Sequence, residues 1–200
     1  MRMRLLVVAI LVAGGLLSGC AFGDRKAKLG YPPVADQGAI AANAAEATPA
    51  ARGAVYIGEF NDFRPDKTIV GNVRNGFGMK TAKVIPQRDV AAWVREALAW
   101  ELEAAGYTVV VGAAAPSGVA ALSGDILRAY CDMYFTYDGQ IVLRIEASRD
   151  GQPLLNQSYA GSGSVGIAWA GTGDSFSESL GLALQEALQK FLADLGSRDI

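Results

Sequence analysis

The chain has 200 residues, with 18 basic and 20 acidic side chains and a net charge of −2. That balance lacks the strongly basic face on which nucleic-acid binding depends. Histidine is absent, which removes the commonest general base and the commonest metal ligand together.

Met1-Arg2-Met3-Arg4 is a short basic opening, and Leu5 to Leu17 is an apolar run of 13 residues. A helix crossing a hydrocarbon core of about 30 Å needs roughly 20 residues, so this run is too short to span. Charge, length and the small residues that follow describe a secretory signal peptide over residues 1–19. An uncleaved membrane helix is the weaker alternative. Arg2 and Arg4 are not adjacent, which favours the general export route over a twin-arginine one. Leu17-Ser18-Gly19-Cys20 resembles a bacterial lipobox. The resemblance implies cleavage before Cys20, a diacylated thiol and an acylated amino group, a palmitate-type anchor in the bilayer. Each buried methylene contributes about 0.8 kcal/mol and a single chain holds only marginally, so several chains make a durable anchor. Ala21 follows, where an aspartate would signal retention at the inner membrane in enteric-type bacteria. The resemblance therefore implies the outer membrane, with the domain facing the periplasm. With Cys20 acylated, Cys131 is the one remaining cysteine, and no internal disulfide can form.

Residues 20–52 read as the lipidated cysteine and a flexible Ala/Pro-containing tether, with neither alternation nor a sustained helical stripe. As a coil, such a segment reaches about 30 Å root-mean-square. Residues 53–196 read as a single α+β domain, about 140 residues, enough for one core, and 197–200 as a tail. Ala54 to Phe60 is predicted as a strand, Asn61 to Lys67 as a polar turn, and Thr68 to Val73 as a second strand. Asn75-Gly76 follows as a turn and Thr81 to Ile85 as a short strand. Asp89 to Ala105 has apolar residues at helical spacing, with Trp93 and Trp100 flanking the stripe, and Gly106 in place for a left-handed cap. Tyr107 to Val111 reads as a strand.

From Leu127 to Phe135 the odd positions are apolar, while the even ones carry Arg128, Tyr130, Asp132 and Tyr134. Ile141, Leu143, Ile145 and Ala147 repeat the alternation after Asp138-Gly139, and Leu155 and Tyr159 continue it after Asp150-Gly151. This predicts a three-stranded antiparallel meander with Cys131 packed and inert on the core face. A two-residue loop at Asp138-Gly139 would set the two apolar faces against each other. A three-residue loop with glycine in the left-handed position resolves the conflict. The expected register is therefore Phe135 opposite Ile141, Cys131 opposite Ile145 and Ile145 opposite Leu155. Gly161-x-Gly163-x-x-Gly166 matches a dinucleotide fingerprint in form, but no helix opens directly after it, so no nucleotide is expected. Ser175-x-x-Glu178 resembles a capping box. Leu180, Leu184, Ala187, Leu188, Phe191 and Leu195 form the stripe of a second helix, closed by Gly196.

Phe60-Asn61-Asp62-Phe63-Arg64-Pro65, then Ile69-Val70-Gly71-Asn72-Val73-Arg74-Asn75, then a helix opening at Asp89-Val90 and ending at Gly106-Tyr107 are a familiar succession. Together with the lipobox they resemble the YajG-type family of uncharacterised bacterial outer-membrane lipoproteins. The resemblance implies an α+β domain and a place in the envelope, with no established activity. Strand, turn, strand, helix, strand, meander and terminal helix give an antiparallel sheet with two helices packed on it.

Three functions compete. One is a non-catalytic accessory or adaptor lipoprotein with an envelope protein partner. A second is a small-ligand or cell-wall binder, taking a glycan or peptide on the face bearing Tyr130, Tyr134, Arg128 and Asp132. The third, a carboxylate hydrolase using Asp62 and Asp66, lacks a nucleophile elbow and metal-ligand spacing, so neither an enzyme nor a cofactor is expected. Asp62, Arg64, Arg74 and Asn75 are the candidate interaction residues. As an exposed cluster they would contribute about 0–1 kcal/mol to stability, and Arg64→Ala would leave the melting temperature nearly unchanged. Asp62 and Arg64 bracing the turn is the competing expectation.

Overall fold

The computed structural model describes residues 23–33, 52–166 and 171–198. The leader, Cys20 and most of the expected tether lie outside the described residues. In chain order the strands and helices are β1 Arg25–Ala27, β2 Ala54–Asp62, β3 Gly71–Arg74, β4 Lys80–Pro86, α1 Val90–Ala104, β5 Thr108–Val110, β6 Ala120–Met133, β7 Tyr137–Arg149, β8 Gln152–Val165 and α2 Gly173–Ser197.

The α+β class holds, but the sheet is mixed where a wholly antiparallel one was expected. β6, β7 and β8 form the antiparallel meander. The free side of β6 is shared. β2 runs parallel along its first half and β3 parallel along its second. β2 and β3 therefore do not pair with each other. They lie in line, and residues 63–70 arch outward between them. Beyond this edge the sheet forks, with β5 parallel on β2 and β4 antiparallel on β3.

β1 corrects the tether. It pairs parallel with β4, Arg25 opposite Val84, and the residues after it are tucked under α1. Leu29 is fully buried, Trp93 Nε1 donates to the Gly30 carbonyl at 3.3 Å, and the Tyr31 ring meets Trp100 edge-on at 5.8 Å. A three-residue strand of two cations and one alanine has too little pattern to read.

The register also differs. Asp138-Gly139 is not a turn. The chain reverses at Tyr134-Phe135-Thr136, so Met133 faces Tyr137, Cys131 faces Gly139 and Ala129 faces Ile141. Ile145 faces Gln157, and Leu155 faces Ala147. Asp150-Gly151 does turn the chain, with φ of 50° and 78°, the two left-handed residues of a tight hairpin. A bulge between Ile126 and Arg128 explains the rest. Leu127 is an extra residue that switches the parity of β6 and points outward, half exposed.

The two helices of the described residues, α1 and α2, pack on one face of the sheet. α1 opens on Asp89, whose carboxylate accepts from the Ala92 amide at 2.7 Å, and it buries Trp93, Val94, Ala97, Leu98 and Leu102. Trp93 is thus core, not a flank. α2 starts earlier than the expected box, capped by Thr172, and it continues past Gly196 to Ser197. Its stripe from Leu180 to Leu195 is fully buried.

Candidate functional site

The glycine-rich stretch is a seat for a helix. Gly161 and Gly163 belong to β8, and Gly163 lies opposite Gly139 on β7. A Cβ on Gly161 would fall 2.0 Å from the Ala183 carbonyl oxygen, and one on Gly163 or Gly139 within 2.5 Å of the Ser179 carbonyl oxygen. α2 can approach this closely only because these side chains are missing. Ser179, fully buried, secures the seat by donating toward the Tyr137 and Gly163 carbonyls at 2.9 and 2.8 Å. Cys131 lies beside it, Sγ 3.6 Å from the Ser179 hydroxyl. Burial pushes the thiol up to about 12, so it is a packed group and not a nucleophile at neutral pH.

The opposite face of the sheet carries the alternation's polar half. Neither helix covers it. The arch of residues 63–70 shields it only at one side, leaving an open recess of about 620 Å³. Arg128, Tyr130 and Asp132 of β6 form its floor, with Arg64 from the arch, Arg74 from β3 and Lys80 from β4 around it. The Arg128 guanidinium sits 5.5 Å from the centre of the Tyr130 ring, and the Tyr130 hydroxyl accepts from Asn72 Nδ2. Arg74 Nε donates to Asp132 Oδ2 at 2.8 Å and its Nη1 to the Gly78 carbonyl at 2.9 Å. The other oxygen of that carboxylate, Asp132 Oδ1, is buried without a hydrogen-bond partner among the described residues.

The four candidate residues prove to be of two kinds. Arg64 and Arg74 meet at the recess, because β3 is short and in line with β2. Gly71 permits the return of the chain to β6, since a Cβ there would stand 2.2 Å from the Cys131 carbonyl oxygen. Asp62 and Asn75 hold backbone. Asn75 Oδ1 accepts from the Phe77 and Met79 amides, both at 3.0 Å. Asp62 takes Arg64 in a two-pronged pair, Nε–Oδ1 2.9 Å and Nη2–Oδ2 2.8 Å, and also accepts from the Arg64 amide. Arg64 further donates to the carbonyls of Ile69 and Lys67 at 2.7 and 3.2 Å. Its side chain is only 4% exposed, so the expectation of an exposed cluster is corrected at this residue. Burial opposes ionisation of Asp62, yet the hydrogen bonds and charge of Arg64 outweigh it and hold the carboxyl below its ordinary value. Lys80 was not singled out in the sequence. It becomes visible only once β4 is known to flank β3.

A family model described as "Uncharacterized lipoprotein" matches residues 44–195. The chain belongs to this family of uncharacterized lipoproteins. The match agrees with the YajG-type resemblance carried by residues 60–107. No curated protein matches the lipoprotein. Among solved structures it is similar to a Xanthomonas campestris protein of family DUF330, at 13% identity and TM-score 0.54, covering 77% of this chain and 91% of that one. It is also similar to an uncharacterized protein at 9% identity and TM-score 0.50, covering 88% and 98% of the respective chains. At these identities the likeness shows the fold alone. No helix among the described residues of the lipoprotein is long and apolar enough to cross a membrane.

Proposed function

We propose that this lipoprotein is anchored in the outer membrane through acylated Cys20, faces the periplasm, and acts as a non-catalytic accessory protein that holds an envelope protein partner. The observation behind this reading is the uncovered polar face of the sheet. Among the described residues α1 and α2 close the other face, and Arg128, Tyr130 and Arg74 are left around an open recess. An aromatic ring flanked by arginines suits a protein contact, since such side chains combine buried area with directed hydrogen bonds. The anchor is tested first. Metabolic labelling with an alkyne fatty acid is expected to mark the wild type and not Cys20→Ser, and labelling that survives the substitution would refute the lipidation site.

A second reading, a small-ligand or cell-wall binder, rests on Asp132 Oδ1. A buried acceptor without a donor costs about 1–3 kcal/mol, and a turn of the Asp132 carboxylate, whose side chain is 35% exposed, would present it to the hydroxyl of a glycan or an amide of a peptide. One experiment separates the two. A photo-crosslinking residue in place of Arg128, activated in growing cells, is expected to give a discrete protein adduct under the accessory reading. Adducts only with glycan strands or stem peptides would instead identify a cell-wall binder.

A further inference from the structure

The end of the sheet where β6 turns into β7 and β3 into β4 carries an unusual surface. Phe77 is 89% exposed, Phe135 64%, Met79 59% and Tyr134 38%. These are four of the seven exposed large apolar side chains among the described residues, gathered on two neighbouring loops. The loops are joined, since the Tyr134 hydroxyl donates to the Gly76 carbonyl at 3.0 Å, and the Tyr134 and Phe135 rings touch at 4.1 Å between centroids. Lys80, exposed at the start of β4, stands at the base of this tip. Scattered exposed apolar residues need no explanation, but a joined cluster does.

The path of the chain says what faces it. β1 runs parallel to β4 and so enters from the tip end. Asp24 is pinned there, its carboxylate accepting from the Lys83 amide at 3.1 Å. Lys83 is three residues from Lys80, about 10 Å along a strand. Cys20 precedes Asp24 by four residues, a reach of at most about 14 Å. That is enough to bring Cys20 level with the tip. It is far too little to reach the other end of β6, whose 14 residues span about 46 Å.

The geometry points to a bilayer-docked orientation: the Phe77, Met79, Tyr134 and Phe135 tip rests in the headgroup region of the membrane that holds the acylated Cys20. This rests on Cys20 as the lipidation site. Aromatic rings and a methionine at headgroup depth, with a lysine at their base, are the side chains that lipid interfaces favour. The domain then stands upright and close to the membrane, not at the end of a long tether.

The test uses the full lipidated protein in vesicles of phosphatidylethanolamine and phosphatidylglycerol. Bimane is attached to Phe77→Cys, with Phe135→Cys as a second tip position and Ala114→Cys at the opposite end of the sheet. Native Cys131 is buried and stays unlabelled. Lipids carrying a nitroxide near the headgroup are expected to quench the two tip labels severalfold more than the label at 114. Vesicle flotation is read on the same samples. Protein that floats while its tip labels are quenched no more than position 114 overturns the docked orientation and leaves the anchor standing. It would assign the tip to a protein contact instead. Wild type that fails to float refutes the anchor, and the docked orientation with it.

Discussion

Gly161→Ala is expected to destabilise the domain by about 3 kcal/mol or more, the upper end of the usual cost of overpacking a core. The added methyl would lie 2.0 Å from the Ala183 carbonyl oxygen and 2.7 Å from the Ala187 amide nitrogen. Both are backbone atoms of α2, so no side chain can swing aside and the helix itself must lift from β8. Lifting it loosens Leu180, Leu184 and Leu188, which are fully buried beneath it. Alanine gains only about 0.5–1 kcal/mol over glycine in backbone freedom, too little to reverse the sign. Denaturant unfolding should show a lowered midpoint, and thermal unfolding a drop of roughly 10 °C for a domain of this size. Gly76→Ala serves as the control, because nothing lies within 4 Å of a Cβ there. A loss at Gly161 no larger than at Gly76 would refute the helix seat.

The same glycines show where sequence reading succeeds and where it stops. Alternation from Ala129 to Met133 and from Ile141 to Ala147 correctly placed Cys131 and its neighbours on the buried face, because burial of one sheet face imposes a period of two. The stripe of α2 was legible for the corresponding reason in a helix. Asp138-Gly139 misled because glycine has two meanings in a strand pattern. It can turn the chain, as Gly151 does, or it can admit a neighbouring backbone, as Gly139 admits α2. Only the second element reveals which applies. The bulge at Leu127 was hidden likewise, since an extra residue reverses parity without leaving a composition signal.

The candidate site was legible in part. Tyr130, Arg128 and Asp132 stood out as the polar half of an alternating strand. That they line an open recess depends on β2 and β3 sharing one edge of β6, a long-range pairing that local pattern does not encode. β1 was missed because Arg25-Lys26-Ala27 owes its strand to the β4 edge and not to its own side chains. With β1 in the sheet, the link between Cys20 and the folded domain is Ala21, Phe22 and Gly23, not the 32 residues expected of a tether.

Arg64→Ala is expected to cost about 3–5 kcal/mol at neutral pH, the range for removing one partner of a buried ion pair. The competing expectation, an exposed pair, would allow only about 0–1 kcal/mol. Exposure decides between them, because the side chains of Arg64 and Asp62 are 4% and 15% exposed. The substitution takes both guanidinium hydrogen bonds from the Asp62 carboxylate and releases the Ile69 and Lys67 carbonyls, so the arch that shields the recess loses its brace. Arg64→Lys should recover only part of the loss, since an ammonium cannot supply the planar, two-pronged contact. The pH dependence gives the sign independently. The folded-state pKa of Asp62 is depressed, so its contribution is present above the unfolded value of about 4 and is lost as pH falls through the folded one. In Arg64→Ala the guanidinium's hydrogen bonds and charge are gone, and only the residue-64 amide and the Lys67 charge remain to offset burial, so the depression shrinks. The gap in stability between wild type and variant is therefore expected to narrow as pH falls below about 4, as measured by urea unfolding at neutral pH and at pH about 3. A gap that is small at neutral pH, or one that widens in acid, would show that Arg64 does not hold the arch through Asp62.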